Sequence, residues 1–350
     1  MTDFPSLRIG ILGAANIAGS FARAVADSKV ISVSAVASRD LAKAKKFAAD
    51  FGIRRAYGTY EDLLDDREVD AVYIPLPNHL HSEWTIRAAK AGKHVLCEKP
   101  IALNAADAGR MFDAGRTHNV LVAEAYPYMS QPQTLAMCRL LADGAIGRVQ
   151  SVTATLSVPF CTPGGVPLYD PGDIRFDASK GGGALGDLGT YAMSVIRLAV
   201  GERPSNVHAV ALATPSGVDQ SVYATLIFPN GVFAQLSCSF SGAFMRRVIV
   251  VGESGVIESD YSNHGSADGT LNLLIKRGAA RDIPFETVTV PAGNGFLAEA
   301  ESFVRAIGLG WHHWNGATKV ESIDTAASLE SILASVKSGL WVEVQNAQRC

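Results

Sequence analysis

The stretch Arg8-Ile9-Gly10-Ile11-Leu12-Gly13-Ala14-Ala15-Asn16-Ile17-Ala18 decides the fold. Its first five residues read as a buried strand, and Ile17 opens an amphipathic helix through Asp27. The turn between them carries Gly13, Ala15 and Ala18, an alanine-substituted variant of the Gly-x-Gly-x-x-Gly dinucleotide fingerprint. Strand, tight turn and helix N-terminus in that order bring backbone N–H groups and a positive dipole to a pyrophosphate. Gly13, Ala15, Asn16 and Ile17 are therefore expected at a cofactor. A tight βα turn of this kind also serves α/β proteins that bind no nucleotide.

The pattern continues outward. Short apolar runs at Ile31–Ala37, Ala71–Ile74, His94–Cys97 and Val120–Ala123 alternate with helical patterns at Leu41–Phe51, Tyr60–Leu64, His81–Ala91 and Ala105–Thr117. This is the rhythm of a doubly wound parallel sheet. Asn78 reads as a cap before the helix through Trp84, and Gly92 as its C-terminal stop. After residue 125 the period becomes two: Ser151–Val158, Val207–Ala213, Val222–Phe228 and Val232–Phe240 alternate apolar with small or polar residues. Pro229-Asn230-Gly231 is a hairpin turn between the last two. The expected fold is α/β, with a dinucleotide-binding domain over residues 1–125 and a second domain over 126–350 built on a mostly antiparallel sheet. The mildly polar face of that sheet (Gln235, Ser237, Ser239) suits solvent or a second copy of the chain, so a dimer or tetramer through it is expected. Helical patterns at Phe296–Ile307 and Ile323–Ser338 follow.

Bulk composition excludes several classes. The 350 residues suffice for two cores, and a net charge of −3 gives no footprint for nucleic acid. No apolar run reaches the roughly 20 residues that span a bilayer. The first strand starts too early for a signal peptide. The 5 cysteines (97, 138, 161, 238, 350) show neither disulfide nor zinc spacing. These features predict a cytoplasmic protein with reduced thiols and no metal.

An NAD site usually carries Asp or Glu after its second strand, bonding the ribose 2′-hydroxyl. This chain has Ser38-Arg39-Asp40, with Lys43 one turn on. A hydroxyl and a guanidinium suit a 2′-phosphate, and Asp40 can instead cap the next helix. NADP(H) is favoured over NAD(H).

Two further segments carry chemistry. Cys97-Glu98-Lys99-Pro100 places a lysine just beyond a strand's carboxyl end, where α/β proteins bind ligands, and proline restricts its backbone and admits a cis bond. Lys180-Gly181-Gly182-Gly183-Ala184-Leu185-Gly186-Asp187-Leu188-Gly189-Thr190-Tyr191 has three glycines for close approach to a ligand or to another element. A helix there would put Asp187 and Tyr191 on one face. A phenol is a poor base near neutrality, and an ammonium such as Lys99 would make it a better one. Tyr191 then exchanges the substrate hydroxyl proton, Lys99 steadies the developing alkoxide, and Asp187 orients the hydroxyl or the tyrosine.

Gly13–Ala18, Pro77-Asn78-His79-Leu80-His81, Glu98-Lys99-Pro100, Glu124-Ala125-Tyr126 and Gly181–Tyr191 together resemble the Gfo/Idh/MocA family, in order and over nearly the whole chain. The resemblance implies a Rossmann domain, a second α/β domain with a large open sheet, and nicotinamide-dependent oxidation or reduction of a sugar, polyol or related alcohol. Lys99 falls on the family's catalytic lysine. Tyr191 falls where some branches carry histidine. Tyrosine is similar to the branch of glucose–fructose oxidoreductase, D-xylose dehydrogenase and dihydrodiol dehydrogenase. Pro75, Leu76, Asn78, His81 and Glu98 are implied at the cofactor. Arg175 is implied at cofactor or substrate, and Tyr126 at substrate.

His79 and His81 have no further ligand at metal-site spacing. Tyr126-Pro127-Tyr128-Met129-Ser130-Gln131-Pro132 lacks the arginine and histidine common in that branch, which points away from a standard aldose pocket, toward a smaller or less polar substrate or a keto-sugar. Two alternatives stand beside the sugar reading: an aromatic trans-diol substrate, suited to an apolar Met129 region, and a regulator that binds NADP without turnover. A regulator needs neither Lys99 nor Tyr191.

Overall fold

Six parallel strands form the first sheet: β1 (Leu7–Leu12), β2 (Ile31–Ala37), β3 (Arg55–Tyr57), β4 (Ala71–Ile74), β5 (His94–Glu98) and β6 (Val122–Ala125). Their spatial order is 3-2-1-4-5-6, the order of a Rossmann fold, with its switch point between β1 and β4. The computed structural model in which this is seen describes residues 6–170, 172–264 and 269–345. Helices α1 (Asn16–Val25), α2 (Leu41–Phe51), α3 (Tyr60–Leu64), α4 (His81–Lys90) and α5 (Ala105–Thr117) connect the strands. Every residue of β4 is buried, as expected for a strand covered on both faces. Phe21 of α1 stacks on Tyr73 of β4 with ring centroids 4.1 Å apart. Truncating such a ring costs about 3–5 kcal/mol.

Helix α6 (Pro132–Ala142) leads into strand β7 (Val149–Ser157) of the second sheet. Helix α7 (Thr190–Val200) precedes β8 (Asn206–Ala213), β9 (Asp219–Ile227), β10 (Phe233–Ser239), β11 (Met245–Gly252), β12 (Gly255–Ser259), β13 (Thr270–Arg277) and β14 (Glu286–Pro291). Helices α8 (Gly295–Leu309) and α9 (Lys319–Ser338) and a short β15 (Val342–Glu343) follow. The nine strands lie in the order 14-13-12-11-7-10-9-8-15. Strands β7 and β10 pair in parallel; the other neighbours are antiparallel. Phe228 and Val232 close the expected β9–β10 hairpin, with Gly231 at φ 85°. The outer face is more apolar than its sequence suggests: Val210, Leu212, Tyr223 and Phe233 are each more than half exposed.

The chain forms two compact units that are not two continuous stretches. Residues 1–101, 107–131 and 293–319 make the first; 102–106, 132–292 and 320–350 make the second. The return of 293–319 has a packing reason, since Phe296, Ala300, Phe303 and Trp314 join the core built on Ile9, Ile11 and Phe21. Among the described residues no helix is long and apolar enough to cross a membrane. Cys97, Cys138, Cys161 and Cys238 are free thiols, and Cys350 lies outside the described residues.

Candidate active site

In the first unit, the turn after β1 depends on Gly13. Its φ is 117°, a region L side chains avoid, and an added Cβ would lie 3.0 Å from Leu76. The Gly13 N–H is held by the Ala37 carbonyl at 2.9 Å. Ala15 sits at the N-cap of α1 without a side-chain bond, so the first helical N–H groups receive no cap from it. Asn16 and Ile17 beside them are exposed, while Pro75 and Leu76, at the exit of β4, are buried. A tight turn at Gly13 leading to a helix whose N-cap side chain makes no hydrogen bond, at the sheet's switch point, is a cradle that fits a dinucleotide pyrophosphate.

At the exit of β2, Asp40 is drawn into α2, where its Oδ1 accepts from the N–H groups of Ala42 and Lys43 at 2.9 and 3.2 Å. It is the helix cap expected. Ser38 is buried and its hydroxyl accepts the Asp40 N–H at 3.3 Å, while Arg39 and Lys43 are exposed. The first residue of α3, Tyr60, is hydrogen-bonded to Arg39, a partner that sequence reading missed. Burial pushes the Tyr60 phenol pKa up.

The exits of β4 and β5 are tied together by His81, which has no exposed surface. Its Nδ1 and Nε2 lie 2.8 Å from the carbonyl oxygens of Pro100 and Leu76. Burial lowers the imidazole pKa, and the neutral ring carries a single N–H, which donates to one of these two carbonyls. His81 thereby braces the turn that carries Lys99. Asn78 opens a 3₁₀ turn (Asn78–Leu80), so α4 takes Leu80 rather than Asn78 as its cap. Glu98 is buried; its Oε1 accepts from the Tyr73 hydroxyl at 2.5 Å and its Oε2 from the Lys99 N–H at 3.2 Å. Lys99 is partly exposed, and its bond to Pro100 is cis. Tyr126 has no exposed surface and packs edge-on to Tyr128. Met129 is likewise buried in a 3₁₀ turn.

In the second unit, the glycine run serves close packing of backbone. Gly181 is left-handed at φ 76°. A Cβ on Gly182 would lie 2.5 and 2.7 Å from the carbonyl oxygens of Arg175 and Ile174. A Cβ on Gly183 would strike the Asp219 carboxylate, which accepts the Leu185 N–H at 2.6 Å. The helix expected here begins instead as a π turn, Leu185–Gly189, before α7. That wider turn offsets Asp187 from the simple one-face relation to Tyr191.

Asp187 receives Arg175 Nε at 2.7 Å, and Asp173 receives Arg175 Nη1 at 3.0 Å. The guanidinium lies over the Phe160 ring, 4.6 Å from its centroid. Tyr191 is almost buried in the first turn of α7. Asn263 Nδ2 donates to its hydroxyl at 3.3 Å, and the Arg246 guanidinium stacks 4.8 Å from its ring centroid. Sequence reading missed Arg246, Asn263 and Asp219. One signal existed for Arg246: it shares a strand face with buried Val248 and Val250, and a charge there needs a partner.

These features define an oxidoreductase with a dinucleotide-binding domain and a separate sheet domain. Residues 7–126 match the model of the oxidoreductase family with NAD-binding Rossmann fold, and residues 134–258 match the GFO/IDH/MocA C-terminal domain. The chain belongs to the Gfo/Idh/MocA family. It is 33% identical over 339 residues to a D-xylose 1-dehydrogenase (NADP(+)) of Haloferax volcanii, covering 97% of this chain and 100% of that one. It is 34% identical over 258 residues to a trans-1,2-dihydrobenzene-1,2-diol dehydrogenase of Danio rerio, covering 72% and 74%. Among solved structures it is similar to KijD10, a 3-ketoreductase from Actinomadura kijaniata in complex with NADP and TDP-benzene, with TM-score 0.82, 30% identity, and coverage of 94% and 98%.

Proposed function

We propose that the protein is an NADP(H)-dependent oxidoreductase acting on a hydroxyl-bearing carbon, or the matching ketone, of a sugar, polyol or keto-sugar. The observation that carries this reading is that the Gly13 turn, the Ser38–Arg39 pair and Lys99 all stand at the carboxyl ends of strands of one parallel sheet. The names of the relatives agree with it. Gly13, Ala15, Asn16 and Ile17 would hold the pyrophosphate, Ser38, Arg39 and Lys43 the 2′-phosphate, and Pro75, Leu76 and Asn78 the adjoining part. The nicotinamide, when bound, supplies or accepts the hydride.

The chain's own groups manage charge and protons. Lys99 stabilises negative charge on the substrate oxygen, Tyr191 carries its proton, and Asp187, held by Arg175, orients a substrate hydroxyl. The exposed apolar face over Val210, Leu212, Tyr223 and Phe233 supports pairing with a second copy of the chain. The aromatic-diol reading stands as the alternative, and the similarity to a trans-1,2-dihydrobenzene-1,2-diol dehydrogenase supports it.

The test is nicotinamide absorbance against aldoses, inositols, keto-sugars and trans-diols, with NADP(H) and NAD(H). Turnover of a sugar-like compound, lost in both Lys99→Ala and Tyr191→Phe while cofactor binding persists, is the expected result. Binding of NADPH with no turnover of any compound would favour the regulator instead. Wild-type turnover by Tyr191→Phe would remove tyrosine as proton carrier.

A further inference from the structure

We propose that Arg246 and Asn263 are a positioning pair for Tyr191, fixing the direction of its hydroxyl and favouring its deprotonated form. The proposal deepens the reading of Tyr191 as proton carrier and rests on it for its catalytic meaning.

The Arg246 guanidinium lies between two phenol rings, 4.8 Å from the centroid of Tyr191 and 4.5 Å from that of Tyr261. Its Nη2 donates to Asn263 Oδ1 at 3.2 Å. A guanidinium can only donate, so it dictates which end of the amide it meets. The Asn263 nitrogen is thereby turned to the Tyr191 oxygen, to which it donates at 3.3 Å. A donor aimed at a phenol oxygen survives loss of the phenol proton and strengthens as charge develops there. It also occupies one side of the oxygen, so the hydroxyl hydrogen points away from Asn263. In this nearly buried setting a neighbouring cation acts more strongly than it would in water.

Tyr261 shares Arg246, to which it is hydrogen-bonded, but it remains a protonated phenol. Its hydroxyl donates to the Thr155 carbonyl at 3.0 Å, and burial pushes its pKa far above the usual value for a phenol. The other ionisable groups on elements packed against α7 are few. Strand β7 has none; β10 has Cys238, kept as a thiol by burial; β11 adds Arg247, paired with Glu258; α6 has Cys138 and Arg139; and α9 brings Asp324, paired with Arg197 of α7. Asp187 of the π turn is paired with Arg175, and burial lowers the pKa of His264, beside Arg246.

The experiment is an ultraviolet titration of tyrosinate in the full-length protein without substrate, taken as the difference from Tyr191→Phe. Asn263→Ala and Arg246→Met should each raise the pH at which Tyr191 ionises by about one unit or more, and Arg246→Lys should restore part of it. Unchanged midpoints in both Asn263→Ala and Arg246→Met would overturn the pair. The readout needs no turnover, so it stands apart from the function itself. If Tyr191→Phe turns over normally, the proton-carrier reading falls even when the midpoints move.

Discussion

The carboxylate of Asp219 fills the space where a side chain on Gly183 would begin, and from there it accepts the Leu185 N–H at 2.6 Å. One residue thus explains both the glycine and the start of the π turn that leads to Tyr191. Gly183→Ala adds a steric conflict to a backbone at φ 121° and should lower stability by about 2–4 kcal/mol in denaturant unfolding. Asp219→Ala should lose the bond to Leu185. The double variant should lose less than the sum of the two, since the clash then has no partner; strict additivity would refute the contact.

For cofactor choice, Arg39→Ala should raise the Kd for NADPH about 10- to 100-fold and leave NADH nearly unchanged, the range of a charge-assisted bond to phosphate. Fluorescence titration with both cofactors measures it. Equal weakening would refute the 2′-phosphate role.

Arg175 touches Asp187 through Nε and Asp173 through Nη1, a reach that a lysine cannot reproduce. Arg175→Lys should lower kcat/KM about tenfold or more while NADPH affinity stays within a few fold. Steady-state kinetics on the substrate found by the panel decides this.

Glu299 has no exposed surface, and burial pushes its carboxyl pKa well above the usual range, with Glu98 and Glu124 adding to the effect. The folded state therefore keeps a proton that the unfolded chain releases above its ordinary carboxyl pKa. Stability must fall as pH rises from that value toward the folded one. Glu299→Gln should remove this slope and be more stable than wild type at neutral pH, as read from urea unfolding between pH 5 and 8. An identical pH profile in the variant would refute it.

If the outer face of the second sheet pairs two copies, Tyr223→Asp and Phe233→Asp should give a smaller species by light scattering with unchanged circular dichroism. Both residues stand more than half exposed on that face, so the folded chain tolerates the change.

What the sequence determined by itself was local. Periodicity placed the strands and helices from β1 through β6 except β3, whose three residues are too few to show a period. Turn and cap chemistry identified Gly13, Asp40, Gly92 and the Pro229–Gly231 hairpin, since each acts on neighbours a few residues away. The position of Lys99 just past β5 was legible because a strand's end is visible in its apolar run. Strands β11 to β15 went unread from sequence. Only the tertiary structure decided the partners: His81 on Pro100, Asp219 on Leu185, and Arg246 and Asn263 on Tyr191. It also returned α8 to the first core. Such pairings depend on how strands register and helices pack across many residues of intervening chain, and local patterns carry no record of that register.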